Sequence, residues 1–381
     1  MNSLAHPEAP ETEETMKNNI VFKANLTKLS HRERGKPCQD AFEFYQGDSF
    51  NVLAVADGLG SEMYSDIGAQ VAASTAVGYC RDNISADLDV ENVKAVMRDA
   101  YYAAYQAVLA RASDDDNDPE EYDTTLCLTI IYPDGCVYYA QSGDSGMVVL
   151  LENGLYKKVT SQQRDDEGRV FPLCFPDKWV FGCVEEKVSS VMLMTDGVLD
   201  LVCPRLLKGR EVDINIPFAR RFLDKFDCSS EDIPALEEAM KGYLENVPQS
   251  LLDDDVTVIV NVATDRKPAA REASYYEAPD WESFRIDFSE LTDENPDVNL
   301  DSVTESCDSS NGNSDEASGD GETLEVPSPG ESAGTKKKKC ILKTKRQGAR
   351  RILRAVIRKK TVILCILIIV FYVMIRKILI S

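Results

Sequence analysis

Carboxylates beside glycine recur at the ends of apolar runs in this chain. Phe50 to Asp57 (FNVLAVAD) ends in Asp57-Gly58, Val188 to Thr195 (VSSVMLMT) ends in Asp196-Gly197, and Ser142-Gly143-Asp144-Ser145 sits between two more apolar runs. Asp253-Asp254-Asp255 opens a last run, VTVIVNV, and Asp40 precedes the first pair of strands. Hard divalent cations such as Mg or Mn take oxygen ligands in octahedral geometry and retain several waters, so aspartates gathered at strand ends suit them. Glycine beside a ligand lets a backbone carbonyl come close to the ion. Taken singly, each Asp-Gly reads first as an ordinary turn. Repetition beside successive buried strands favours a shared metal.

Other chemistries are poorly supplied. The 381 residues include two histidines, His6 and His31, too few for a His-rich zinc centre and a poor supply for a Ser-His-Asp triad, and His6 lies in the expected disordered start. The 11 cysteines contain no CxxC pair and no secretory signal opens the chain, which favours free thiols in a reducing compartment. Net charge is -23, and the last 46 residues hold 15 Lys and Arg with no carboxylate, so the rest is more acidic still. An acidic body argues against nucleic acid as partner, because duplex affinity draws on cationic contacts to phosphates.

These aspartates need strands to carry them. Residues 1–18, rich in Pro, Glu and Thr, are expected to be disordered. Two amphipathic helices are expected over Ser61 to Asn83 and Val90 to Ala112. After the acidic stretch Ser113 to Asp123 come strands at Thr124 to Tyr132, Cys136 to Ser142, Met147 to Glu152 and Leu155 to Thr160, with Asp134-Gly135 and Asn153-Gly154 as hairpin turns. The strand Val188 to Thr195, helices near Ile216 to Phe226 and Glu231 to Val247, and the strand Val256 to Val262 complete the series. Hairpin-linked strands with helices between groups predict an α+β sandwich of antiparallel sheets covered by helices.

In order and spacing, Gln39-Asp40 in GKPCQDAF, Asp57-Gly58 in VADGLGS, Gly143-Asp144-Ser145 in SGDSG, Thr195-Asp196-Gly197 in MTDGVLD and Asp254-Asp255-Val256-Thr257 resemble the metal-dependent protein phosphatase 2C family. The resemblance covers Ile20 to Val262 and is closer to the bacterial-type branch. It implies a four-layer αββα sandwich with a binuclear Mg2+ or Mn2+ centre at one end of the two sheets. Asp57 would bridge the ions, the Gly58 carbonyl would bind one, and Asp196 and Asp254 would complete the opposite shell. Asp144 matches the position that, with Asp196, holds a third and weaker ion, and Asp40 the one that acts through a bound water. The implied reaction is hydrolysis of phosphate monoesters on Ser or Thr of proteins by a water activated between two ions. Implied partners are phosphorylated proteins, a cognate kinase or its substrates.

The chain departs from the family pattern in its first motif. Gln39 stands where many members have Glu, and Arg32 and Arg34, the candidates for gripping phosphate, are offset from the usual arginine. Leu59 replaces the histidine of animal members, so leaving-group protonation falls to water. These departures keep a second reading open, a pseudophosphatase that binds phosphorylated partners or scaffolds them without turnover. Ser161 to Gly182 occupies the place of a substrate-selecting flap, with Arg164, Arg169, Lys178 and Trp179 open to substrate contact or to plain surface and packing roles.

The expected domain order is a catalytic domain at 19–264, an acidic disordered linker at 265–335, a basic segment at 336–360 and a transmembrane helix at 361–380. Thr361 to Ile375 is an unbroken apolar run of 15 residues, about 22 Å as helix, and extension to Ile380 gives a plausible span. With 13 Lys and Arg in the preceding segment, this predicts a C-terminal membrane anchor with the catalytic domain in the cytosol.

Overall fold

The computed structural model describes residues 16–283, apart from 86–87, 211, 249–250 and 253. Among the described residues, ten strands form two antiparallel sheets of five. The first runs β1 (Asn19–Leu26), β10 (Val256–Ala263), β9 (Val188–Met194), β6 (Gly146–Leu151), β7 (Tyr156–Lys158). The second runs β2 (Asp40–Gln46), β3 (Asn51–Asp57), β4 (Leu126–Ile131), β5 (Val137–Ser142), β8 (Val180–Cys183).

Both faces of the central strands are apolar, and the alternation sorts them into layers. In β3, Leu53 and Val55 meet Val191 and Leu193 of β9 between the sheets. Val52, Ala54 and Ala56 point the other way, onto helices α2 (Ser65–Asn83) and α3 (Val90–Asp114). In β9, Met192 and Met194 face α4 (Asp196–Val202), α5 (Ile216–Leu223) and α6 (Ile233–Glu245). The result is the expected αββα sandwich with three apolar layers. A buried polar pair crosses between β3 and β10 of the two sheets: Asn51 Nδ2 donates to Asn261 Oδ1 at 2.8 Å.

Some elements depart from the sequence pattern. A short helix, α1 (Leu29–Glu33), precedes the first motif, and β8 begins at the end of the Ser161 to Gly182 stretch, where no strand was expected. Asp196 opens α4 rather than ending in a turn, and Asp40 is itself the first residue of β2. The described chain also runs past both expected ends of the catalytic domain. Met16 is buried against the central layer, and Tyr275 and Tyr276 pack against the α4–α6 layer.

The expectation of a membrane-anchored protein is corrected. Among the described residues no helix is long and apolar enough to cross a membrane, so the anchor and the membrane location are withdrawn. The segment that suggested them, 361–380, lies outside the described residues, as do 336–360 and most of 265–335.

Candidate metal centre

Antiparallel pairing brings the motif aspartates to one edge of the sandwich. Asp40 and Asp57 are direct cross-strand partners at the start of β2 and the end of β3. In the other sheet, Met194 pairs with both Gly146 and Val258, so Asp144 before β6, Asp196 after β9 and Asp254 before β10 emerge together. A bond from Thr195 Oγ1 to Asp40 Oδ2, 2.7 Å long, ties the two groups across the sheets. Thr195 is in turn fixed by Thr257, whose N–H donates to its hydroxyl at 3.1 Å.

Carboxylate oxygens of Asp57, Asp144 and Asp196 lie within 4.8 Å of one another. Like charges placed so closely in a buried site destabilise the fold unless a proton or a cation intervenes. The proton affinities reflect this. Burial, followed by Asp255 and Asp196, pushes Asp40 up to about 8, against the pull of its Thr195 bond. Burial, then Asp144 and Asp254, takes Asp196 up to about 7, and burial with Asp40 and Asp196 raises Asp57 well above the carboxylate range. Asp144 is raised by burial and partly relieved by Arg164.

The donor set fits a hard divalent cation. Asp144 Oδ1 and Asp196 Oδ1 are buried with no hydrogen-bond partner, which is costly for a carboxylate unless an ion takes up the lone pairs. Gly58 adjoins the cluster in a crevice that admits no side chain: a Cβ there would lie 2.4 Å from Ser65 O and 2.8 Å from Gln39 O. Asp254 is farther out, with 41 % of its side chain exposed and Lys28 Nζ 2.8 Å from its Oδ1. Its charge still reaches Asp57, Asp144 and Asp196.

The structure does not bring every candidate together. Arg32 and Arg34 are exposed, and among the described residues neither pairs with these carboxylates. The cations beside the cluster are instead Lys28 and Arg164, whose Nη2 lies 2.5 Å from Asp144 Oδ2 and 3.1 Å from Asp196 Oδ2. The Asp144 contact is an ion pair without hydrogen-bond alignment, since that oxygen counts no hydrogen bond. Gln39 turns its amide into the start of α2, donating to Ser65 Oγ at 2.7 Å. Leu59 donates its N–H to Asp123 O at 3.0 Å and offers no titratable group.

Sequence reasoning missed the bracket behind the first motif. Asp255 is fully buried and accepts from Lys28 N at 2.8 Å and Gln39 N at 2.7 Å, with His31 Nδ1 at 3.0 Å. A buried histidine and the third of three consecutive aspartates carry no local signal of that role. Trp179 is a packing residue, set edge-on to Tyr101 and Tyr102 with its Nε1 donating to Leu173 O.

A sequence model described as Protein phosphatase 2C matches residues 29–245. No curated protein gives a significant match. Among solved structures, the chain is similar to a bacterial serine phosphatase at 16 % identity and a TM-score of 0.44, covering 66 % of this chain and 99 % of that one. The serine/threonine phosphatase Stp1 from Staphylococcus aureus is similar at 16 % identity and TM-score 0.42, covering 67 % and 99 %. RsbX in complex with magnesium follows at 17 % identity and TM-score 0.38, covering 66 % and 97 %.

Proposed function

The chain belongs to the protein phosphatase 2C family, and on that premise we propose that the aspartate edge of its sandwich is a two-ion centre for hydrolysing phosphoserine and phosphothreonine in proteins. It is a protein serine/threonine phosphatase that uses Mg2+ or Mn2+. The observation that carries the proposal is the convergence of carboxylates from both sheets, with Asp196 Oδ1 buried among them and without a hydrogen-bond partner. When bound, the ions supply an acidified water for attack on phosphorus and offset charge on the transferred phosphoryl group.

The residues divide the work. Asp57, the Gly58 carbonyl, Asp196 and Asp254 would hold the ions, which would supply the charge that acidifies water. Asp40 orients water at the centre, its carboxylate fixed by the Thr195 hydroxyl. Because Asp57 and Asp196 hold protons unusually firmly without metal, ion uptake releases protons and tightens as pH rises. Lys28, paired with Asp254, is a cation placed to meet phosphate oxygens on that side, with Arg32 and Arg34 exposed nearby as further candidates. With Leu59 where an acid would sit, the leaving alkoxide takes its proton from water, so aryl phosphates should turn over faster than alkyl ones. The proposed catalytic unit is 19–264, acting against a kinase that phosphorylates the same proteins.

A non-catalytic reading keeps one specific support: the Gln39 amide is committed to Ser65 Oγ, where many members have a carboxylate. Phosphate release from a phosphothreonine peptide by the full chain decides between them. The proposal expects release with Mn2+ and none with EDTA. Mn2+ binding with no release from peptide or aryl phosphate would establish the non-catalytic reading.

A further inference from the structure

Arg164 is held in the cluster from both sides of the chain. The Gly143-Asp144 turn is clipped to the strand exit before Arg164: Gln163 N donates to Gly143 O at 3.1 Å, and Gly143 N donates back to Gln163 Oε1 at 2.9 Å. Gln141 Nε2 joins the same two segments, donating to Ser145 O and Ser161 O at 2.9 Å each. Gly143 has φ of 98°, and a Cβ there would lie 2.4 Å from Thr125 Cγ2, so this turn has one shape available. On the far side, Arg164 bridges to Val170, and Asp165 closes the small loop by accepting from Arg169 N at 2.8 Å. The guanidinium therefore arrives at the carboxylates from an anchored backbone rather than from a loose loop.

Its partners have few alternatives. Asp144 is 1 % exposed, and among the described residues no cation other than Arg164 forms an ion pair with Asp144 or Asp196. A guanidinium stays charged at any working pH and spreads its charge over a plane that two carboxylates share. The same two aspartates are the pair that the family resemblance assigns to a third, weaker ion.

We propose that Arg164 is a built-in counter-ion for Asp144 and Asp196, taking the place of a third divalent cation, so that this chain binds two ions. The inference rests on the two-ion reading above. It makes Asp144 a partner of the arginine rather than a metal ligand, and it gives the segment after Ser161 a charge role within the centre. Deleting the guanidinium frees both carboxylates and opens a third site. Replacing it with lysine keeps a positive charge within reach of the same oxygens.

Titration of the full chain with Mn2+, followed by electron paramagnetic resonance of the free ion and by calorimetry, reads the stoichiometry directly. The expectation is two ions per chain in the wild type, three in Arg164→Met, and two in Arg164→Lys. Arg164→Gln serves as a second charge deletion should the methionine variant lose its circular dichroism signature. Three ions in the wild type, or two in both charge-deleted variants, overturns the inference while leaving the two-ion centre intact. Fewer than two ions in the wild type overturns the two-ion reading, and the inference with it.

Discussion

Replacing Asp255 with alanine tests how the first motif is held against the metal centre. Its buried carboxylate receives the N–H groups of Lys28 and Gln39 and the ring Nδ1 of His31, at 2.8, 2.7 and 3.0 Å. These donors span the segment that leads into Asp40, and the acceptor lies more than 200 residues away in sequence. Asp255→Ala leaves three donors in a site without solvent. At about 1–3 kcal/mol for each unsatisfied group the gross cost is about 3–9 kcal/mol, and water entering the vacated space relieves part of it. We expect a net loss of about 4 kcal/mol, seen in urea unfolding as a midpoint lower by about 1 M or more. Asp255→Asn keeps one acceptor oxygen but turns an amide N–H toward a donor, so its loss should fall near half, about 2 kcal/mol. Mn2+ affinity should weaken in both variants, because Asp40 follows the released segment directly. An Asp255→Ala chain destabilised by less than about 1 kcal/mol would refute the reasoning.

Two further substitutions probe the surroundings of the site. Gly58→Ala places a Cβ 2.4 Å from the Ser65 carbonyl oxygen and 2.8 Å from that of Gln39, both backbone atoms. Overpacking of this kind costs about 1–3 kcal/mol, and the chain should lose that stability together with Mn2+ affinity, read by thermal unfolding with and without the ion. Asp123 is pushed up to about 6 from 3.8, chiefly by burial, with Glu62 and Asp118 adding to it. A carboxyl whose folded value is raised stabilises the fold fully below the unfolded value and loses that contribution as pH rises through the folded one. Here the window is about pH 4 to 6, worth about 3 kcal/mol. Asp123→Asn should therefore flatten the stability profile across that window, measured in EDTA as the difference from wild type. An unchanged difference between pH 4 and pH 7 would contradict it.

Much of the fold was legible because burial writes itself into local pattern. The runs FNVLAVAD and VSSVMLMT became β3 and β9 since both of their faces meet apolar layers, and the small residues of α2 lie flat on the second sheet. Edge strand β8 was invisible because its four residues are exposed or half-exposed and alternate with no apolar period. The aspartates were legible as chemistry because few residue types suit a hard cation. Lys28, His31 and Asp255 were not, since their roles arise only when segments 227 and 224 residues apart meet. Arg32 and Arg34 lie exposed on α1 and at its cap, and among the described residues neither pairs with the carboxylates of the centre. The apolar run at 361–375 suggested an anchor by composition alone, and no described helix supports one.

If carboxylates from both sheets form one hydrolytic centre, its turnover depends on a bound divalent cation. The most direct test is hydrolysis of p-nitrophenyl phosphate by the full chain with Mn2+, with EDTA, and in Asp57→Asn and Asp196→Asn. Turnover is expected with Mn2+, none with EDTA, and a fall of about 1,000-fold or more in each variant, the equivalent of about 4 kcal/mol of lost transition-state stabilisation. Turnover that survives EDTA, or that either folded variant retains, would contradict it.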